Sequence, residues 1–149
     1  MKINRKFFIR LGQEVKDKIQ VTAQSKGEDH KGAKFRSYSD QYRIRKAKGK
    51  AVPKGQSVAS RSTKPDLTLT GTMWRNLNSK AGSDYAEVGF SSRQQAIKAN
   101  HLSKTKKRII FSEKNVHPEV DRLIKKLWNK EINKVAKKSL PKGRTLRIG

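Results

Sequence analysis

The chain has 149 residues, with 37 Lys and Arg against 12 Asp and Glu, a formal net charge of +25, and no cysteine. That length suits one domain, the absent cysteines exclude a disulfide framework or thiolate metal site, and self-repulsion on this scale points to a polyanionic or acidic partner. Only 33% of the residues are hydrophobic, below the roughly 45–50% usual in globular domains, so a modest core with long polar extensions is expected.

The opening from Met1 to Arg10 is basic, but its longest apolar run is Phe7-Phe-Ile9. A secretory leader needs roughly 7–15 such residues, and a membrane span about 20. A soluble protein of the cytosol or of a larger assembly is therefore expected. Phe8, Leu11, Val15, Ile19 and Ala23 recur at helical steps, predicting an amphipathic helix over 7–26 that stops at Gly27, although Ile3, Phe7, Ile9 and Leu11 at its opening also alternate as a strand would. Residues 28–65 read as an extended basic loop. From His30 to Lys64 there are eleven basic residues and one acid, Asp40. Its composition predicts little order of its own beyond one helical turn around Tyr38, Tyr42 and Arg45-Lys46, so neighbours should hold it.

Residues 66–138 read as an α+β body. Asp66-Leu-Thr-Leu-Thr-Gly71 leads into Met73, Trp74 and Leu77, with Thr70 or Thr72 placed to cap a short helix. Asp84 to Phe90 alternates as a strand, and Lys107-Arg-Ile-Ile-Phe111 reads as a second. Between them Ser91 or Ser92 can cap a helix carrying Ala96, Ile97, Ala99 and Leu102. Pro118 to Lys138 is the clearest helix. Pro118 suits its first position, Glu119 and Asp121 suit the positive end of its dipole, and Lys137 and Lys138 suit the other end. Val120, Leu123, Ile124, Leu127, Trp128, Ile132, Val135 and Ala136 form its apolar stripe. A basic tail follows over 139–149. The fold class implied is α+β, a single domain over 1–149 with a small antiparallel sheet packed against the N-terminal and long C-terminal helices.

Enzyme chemistry finds little support in this pattern. His30, His101 and His117 lie in different zones, without metal-ligand spacing. Asp66, Asp84 and Glu87 flank the expected sheet, but nothing pairs two carboxylates at a basic cleft as a metal nuclease requires. No phosphate-cradling glycine loop and no nucleophile elbow occur. The chain reads as non-enzymatic, with no catalytic, cofactor or metal residues assigned. A nuclease would instead depend on Asp66, Asp84 or His101.

The cations carry the alternative. Lys31, Lys34, Arg36, Arg43, Arg45, Lys46, Lys48, Lys50 and Lys54, with Lys104, Lys106 and Lys107, are candidates for phosphate or partner contact; the last three form a second cluster with Arg108, which reads either as a solvated turn or as a lumen- or groove-facing loop. No helix-turn-helix, zinc finger or aromatic RNA-binding motif supports the reading of bases. Tyr38 and Tyr42 can stack on bases or join a subunit interface. Trp128 lies on a stripe too broad for one small sheet to cover, marking it as an oligomer-interface candidate.

The order of these features resembles the tail-completion proteins of tailed bacteriophages, also described as neck, head-to-tail connector or virion-morphogenesis proteins. The residues that carry the resemblance are the N-terminal helix, Phe35-Arg-Ser-Tyr-Ser-Asp-Gln-Tyr42, Asp66-Leu-Thr-Leu-Thr-Gly-Thr-Met73, Glu87-Val-Gly-Phe90, Ala96-Ile-Lys-Ala-Asn-His101 and Arg108-Ile-Ile-Phe-Ser112 before a long helix. Here His101 is followed by Leu-Ser-Lys where that family often has His-x-x-Gly. The resemblance implies a homo-oligomeric ring at the head-to-tail junction of a virion, assembled in the host cytoplasm. Its partners would be portal or connector and tail proteins, with DNA passing through the opening without sequence reading. It carries over no catalytic residue and no cofactor. The alternative from another class is a sequence-independent nucleic-acid-binding protein, such as a packaging or ribosome-associated factor.

Overall fold

The computed structural model describes residues 3–68, 70–106, 108–110, 112 and 115–139. Helix α1 (Arg5–Gln20) begins at Asn4, whose side-chain oxygen accepts the Lys6 N–H at 2.9 Å. Of the expected stripe Phe8 and Ile19 are buried and Leu11 and Val15 half-buried, and Phe7, outside that stripe, is buried as well. The helix then widens into a π turn over Val21–Ser25, where the Thr22 hydroxyl donates back to the Lys18 and Ile19 carbonyls. Gly27 ends it with φ +64, and a Cβ there would lie 2.9 Å from the Pro65 carbonyl oxygen. Glycine is required at this point by conformation and by contact alike.

The sheet is a two-stranded antiparallel hairpin, β1 (Leu77–Ala81) paired with β2 (Ala86–Phe90) in the register Leu77 to Phe90, Ser79 to Val88 and Ala81 to Ala86. Helix α1 crosses this hairpin at Gly12, where a Cβ would sit 3.1 Å from Ser79 Cβ. Strand β2 falls where alternation placed it. Its partner does not. The segment Arg108 to Ile110 is irregular, while Lys107 and Phe111 lie outside the described residues. Ile110 is instead buried in the core, and the Ile109 carbonyl accepts a single backbone bond from His30 N–H at 2.9 Å. Leu77-Asn-Ser-Lys-Ala81 carries no β-branched residue, so its strand identity comes from pairing rather than intrinsic preference.

Helix α3 (Thr72–Arg75) is shorter than its apolar residues suggest, and Gly71 at φ +74 starts it with no side-chain cap. The Thr70 and Thr72 hydroxyls bond each other instead, at 3.0 Å. Helix α4 (Arg93–Lys106) forms as expected, but Ala96 and Ile97 face outward and the buried side is Gln95, with Ala99 and Leu102 packed on the core. The Ser91 hydroxyl bonds Asn76 rather than the α4 terminus. Helix α5 (Pro118–Ser139) spans 22 residues, about 33 Å at 1.5 Å per residue. The tail from Leu140 lies outside the described residues.

The principal core gathers Ile19, Ala23, Phe35, Met73, Trp74, Leu77, Ile110 and Val120. A second, smaller cluster joins Phe7 and Phe8 of α1 to Leu127 of α5. Trp128 belongs to this cluster, with ring centroids 5.3 Å from Phe7 and 6.0 Å from Phe8. The apolar stripe of α5 is therefore used largely inside the chain, and Ile132, 38% exposed, is its most open member.

Candidate cationic binding groove

The basic loop is not an unsupported arm. Asp29 folds its start by accepting the Lys31 and Ala33 N–H groups on its carboxylate, and Phe35 is buried in the principal core. Next comes α2 (Asp40–Ala47), two turns long, with the Ser39 hydroxyl accepting the Tyr42 N–H. The charged residue on its inner side is decisive. Lys46 is 0% exposed, and its Nζ lies 2.5 Å from Asp66 Oδ1.

Asp66 gathers four hydrogen-bonding groups. Besides Lys46, its carboxylate accepts bonds from the Ser60 hydroxyl, the Tyr38 hydroxyl at 3.4 Å and the Thr68 N–H at 2.9 Å. Removing a charge from water is unfavourable unless its partner and further hydrogen bonds are in place, and here they are. Leu67, next in sequence, takes φ +52, unusual for a non-glycine residue, and its N–H donates to the Tyr38 hydroxyl at 3.2 Å. Lys46 is thus an internal counter-ion. Expected among the phosphate or partner contacts, it is withdrawn from that set because no part of it reaches the surface.

Tyr38 and Tyr42 form an edge-to-face pair with centroids 4.8 Å apart. The Tyr38 ring also receives the Lys46 ammonium at 5.0 Å and the Arg108 guanidinium at 4.7 Å. Burial, and next the negative charge of Asp66, pushes the Tyr38 hydroxyl up to about 12; the same two causes raise Tyr42. Arg108 is 8% exposed. Its Nη2 donates to the Arg36 carbonyl at 2.9 Å, while its Nε has no partner among the described residues.

Above this clasp lies an open groove of about 1520 Å³. Its floor is apolar and aromatic, formed by Leu67, Met73, Leu102, Tyr38 and Tyr42. Its cations are Lys34 and Arg36 from the loop, Lys98 and Lys106 from α4, and Arg108. The acid on its wall, Asp40, is paired with Arg43 at 2.6 Å. Gln95, Lys98, Leu102 and Thr105 all line the groove, at the three- and four-residue steps of one helix face.

The structure therefore brings Lys34, Arg36, Lys106, Tyr38 and Tyr42 together. Lys31, Arg43, Arg45, Lys48, Lys50, Lys54 and Lys104 are exposed but do not line the groove. Lys107 lies outside the described residues. Lys98 was not among the expected contacts. Lys98 could have been found from its four-residue step to Leu102, whereas Arg108 belongs to the second basic cluster, for which a groove-facing loop was one of the two readings, and it does line the groove.

A second polar cluster ties the loop to α5. Glu119 pairs with Lys26 and with Lys18, the latter at 3.1 Å, and these ammonium bonds hold its carboxyl down at about 2. His117 is buried, with Nε2 3.2 Å from Glu28 Oε2 and Nδ1 accepting the Glu119 N–H. This arrangement selects the Nε2–H tautomer for the neutral ring. Lys34 bonds Glu28 and, with burial opposing, lowers its pKa. Among the described residues no group of three His, Asp or Glu side chains could hold a metal, and no helix is long and apolar enough to cross a membrane. No protein-family model, curated protein or solved structure matches the chain.

Proposed function

We propose that this chain is a non-enzymatic structural subunit of the head-to-tail interface of a tailed bacteriophage, assembling with copies of itself into a ring around the DNA path. The observation that carries the reading is the fate of the carboxylates. Glu14, Asp17, Glu28, Asp40, Asp66, Glu119, Asp121 and Glu131 are each paired with a cation of the same chain. With few acids left to oppose it, the surface is dominated by exposed Lys and Arg. Copies carrying that surface repel, and a ring of them requires anions, which a DNA-filled opening and acidic neighbours would supply. The order of the Leu-Thr-Gly turn, short helix, Val-Gly strand, alanine-bearing helix and long final helix supports the same reading by resemblance.

Portal, connector and tail components mixed with this chain should yield a ring detectable by native mass spectrometry and by imaging, and cross-links in intact particles should place it at the junction. A chain that stays monomeric with all of those components overturns the reading. A second reading, a sequence-independent nucleic-acid-binding protein, is favoured by Lys31, Arg36, Lys48, Lys50 and Lys54, which are exposed and form no ion pair among the described residues. It requires tight binding of free DNA that falls steeply with salt, the logarithmic slope being about −0.9 per phosphate contacted. A ring subunit binds free DNA weakly until assembled.

A further inference from the structure

We infer that the groove between the 34–42 segment and α4 is a docking site for an extended acidic peptide segment that carries apolar anchor side chains, contributed by a neighbouring protein of the assembly.

Two features of the groove select this chemistry together. Its floor of Leu67, Met73 and Leu102 beside the tyrosine pair offers apolar surface to a side chain. Phosphate and sugar have nothing to place there. Its rim of Arg36, Lys98 and Lys106, beside a Lys34 already bonded to Glu28, is cationic, and the acid nearby, Asp40, is occupied by Arg43. Arg108 adds positive charge to the wall. It is nine-tenths buried, lines the groove, and keeps one guanidinium N–H unpartnered among the described residues.

The sign of the charge also narrows the occupant. The chain's own tail, Leu140 to Gly149, contains Lys142, Arg144 and Arg147 and no acid, so this rim repels it. A second copy brings a net charge of +25 and is disfavoured for the same reason. Nucleic acid satisfies the rim, but its bases need free ring faces to stack on, and Tyr38 is already committed to Tyr42, Lys46 and Arg108 within the chain, leaving Leu67, Met73 and Leu102 better matched to aliphatic side chains. An acidic segment with apolar anchors satisfies rim and floor alike.

This proposal rests on the ring reading only for the peptide's source. The test uses the full-length chain and fluorescence anisotropy with three labelled probes: a short peptide alternating Glu and Leu, its Glu and Ser analogue, and an oligothymidylate of equal charge. The Glu and Leu peptide should bind about tenfold or more tightly than either other probe. The double variant Lys98→Glu, Lys106→Glu should weaken that binding about tenfold or more, because close charge pairs across an interface carry energies of this size. The same charge change placed on α5, Lys126→Glu with Lys130→Glu, should alter it less than about twofold. Thr105→Trp, which fills the groove without altering charge, should also block the peptide, with thermal melts verifying that each variant folds. Equal binding of the Ser analogue, equal loss in the α5 variant, or no binding overturns the proposal. Tighter binding of the oligonucleotide, lost in the α4 variant, overturns it in favour of nucleic acid. Failure here while rings still form removes the docking site alone. Peptide binding by a chain that never assembles removes the ring alone.

Discussion

Two ion-pair clusters join distant parts of this chain, and they differ in one respect, water. Lys46 and Asp66 are shut away with side chains 0% and 10% exposed, whereas Lys26, Lys18 and Glu119 meet at the rim with side chains 39%, 32% and 27% exposed. In the first, desolvation and Coulomb attraction are both large and nearly offset, so the pair specifies geometry and tolerates no missing partner. In the second, solvent and salt screen the attraction, and the pair contributes little to stability. A protein with this excess of cations cannot be understood by counting them. What matters is which few lie beyond the reach of water.

The largest expected effect lies in the dry cluster. Lys46→Met should destabilise the fold by about 3–5 kcal/mol in denaturant unfolding, because Asp66 is left buried without its counter-ion. The double variant Lys46→Met, Asp66→Leu should recover part of that loss. A single-variant cost under about 1 kcal/mol would show that water reaches the pair and would erase the contrast between the clusters. Next in size is Gly27→Ala, which places a methyl 2.9 Å from the Pro65 carbonyl oxygen at φ +64; it should cost about 1–3 kcal/mol.

The pH behaviour of the same two clusters sharpens the comparison. The Tyr38 hydroxyl ionises at about 12 against an ordinary value of 10.0. Its contribution to stability is therefore complete below about 10 and is lost as pH rises through about 12. Phenolate absorbance should show one tyrosine resisting ionisation until about 12, and joint ionisation of all tyrosines near 10 would mean an open clasp. The smallest effect belongs to Glu119, held down at about 2 from 4.5. Its contribution is present above about 4.5 and disappears as pH falls through about 2. Stability curves of the native chain and Glu119→Gln should converge over that interval and lie closer together at high salt. Persistence of their separation in high salt would place this cluster, too, away from water.

The helices were largely legible before the structure was known. Phe8, Leu11, Val15 and Ile19 repeat at helical spacing, and Pro118, Glu119, Lys137 and Lys138 mark both ends of α5. Each signal is local, carried by residues within one or two turns. The hairpin was half legible: β2 alternates, but β1 is Leu77-Asn-Ser-Lys-Ala81, polar at its centre and a strand through its partner. Arg108-Ile-Ile looked more strand-like and instead supplies Ile110 to the core. The orientation of α4, which leaves Ile97 58% exposed, has no clear signal in the sequence, because its few apolar residues do not gather on one face.

The groove was the least accessible to such reasoning. Eleven cations in one stretch signalled a charged surface, but nothing nearby distinguished Lys46 from Lys48 or Lys50. That distinction arises from Asp66, twenty residues away, and from the packing of Tyr38 over it.

Composition and periodicity were enough to establish a cation-rich α+β chain with a small core and two amphipathic terminal helices, since these depend on interactions within a few residues. Which lysine is buried, which strand pairs, and how α4 meets the loop to form a groove depended on contacts between residues far apart in the chain. Those contacts are settled by the desolvation of particular side chains, a cost that exists only once the segments are packed together.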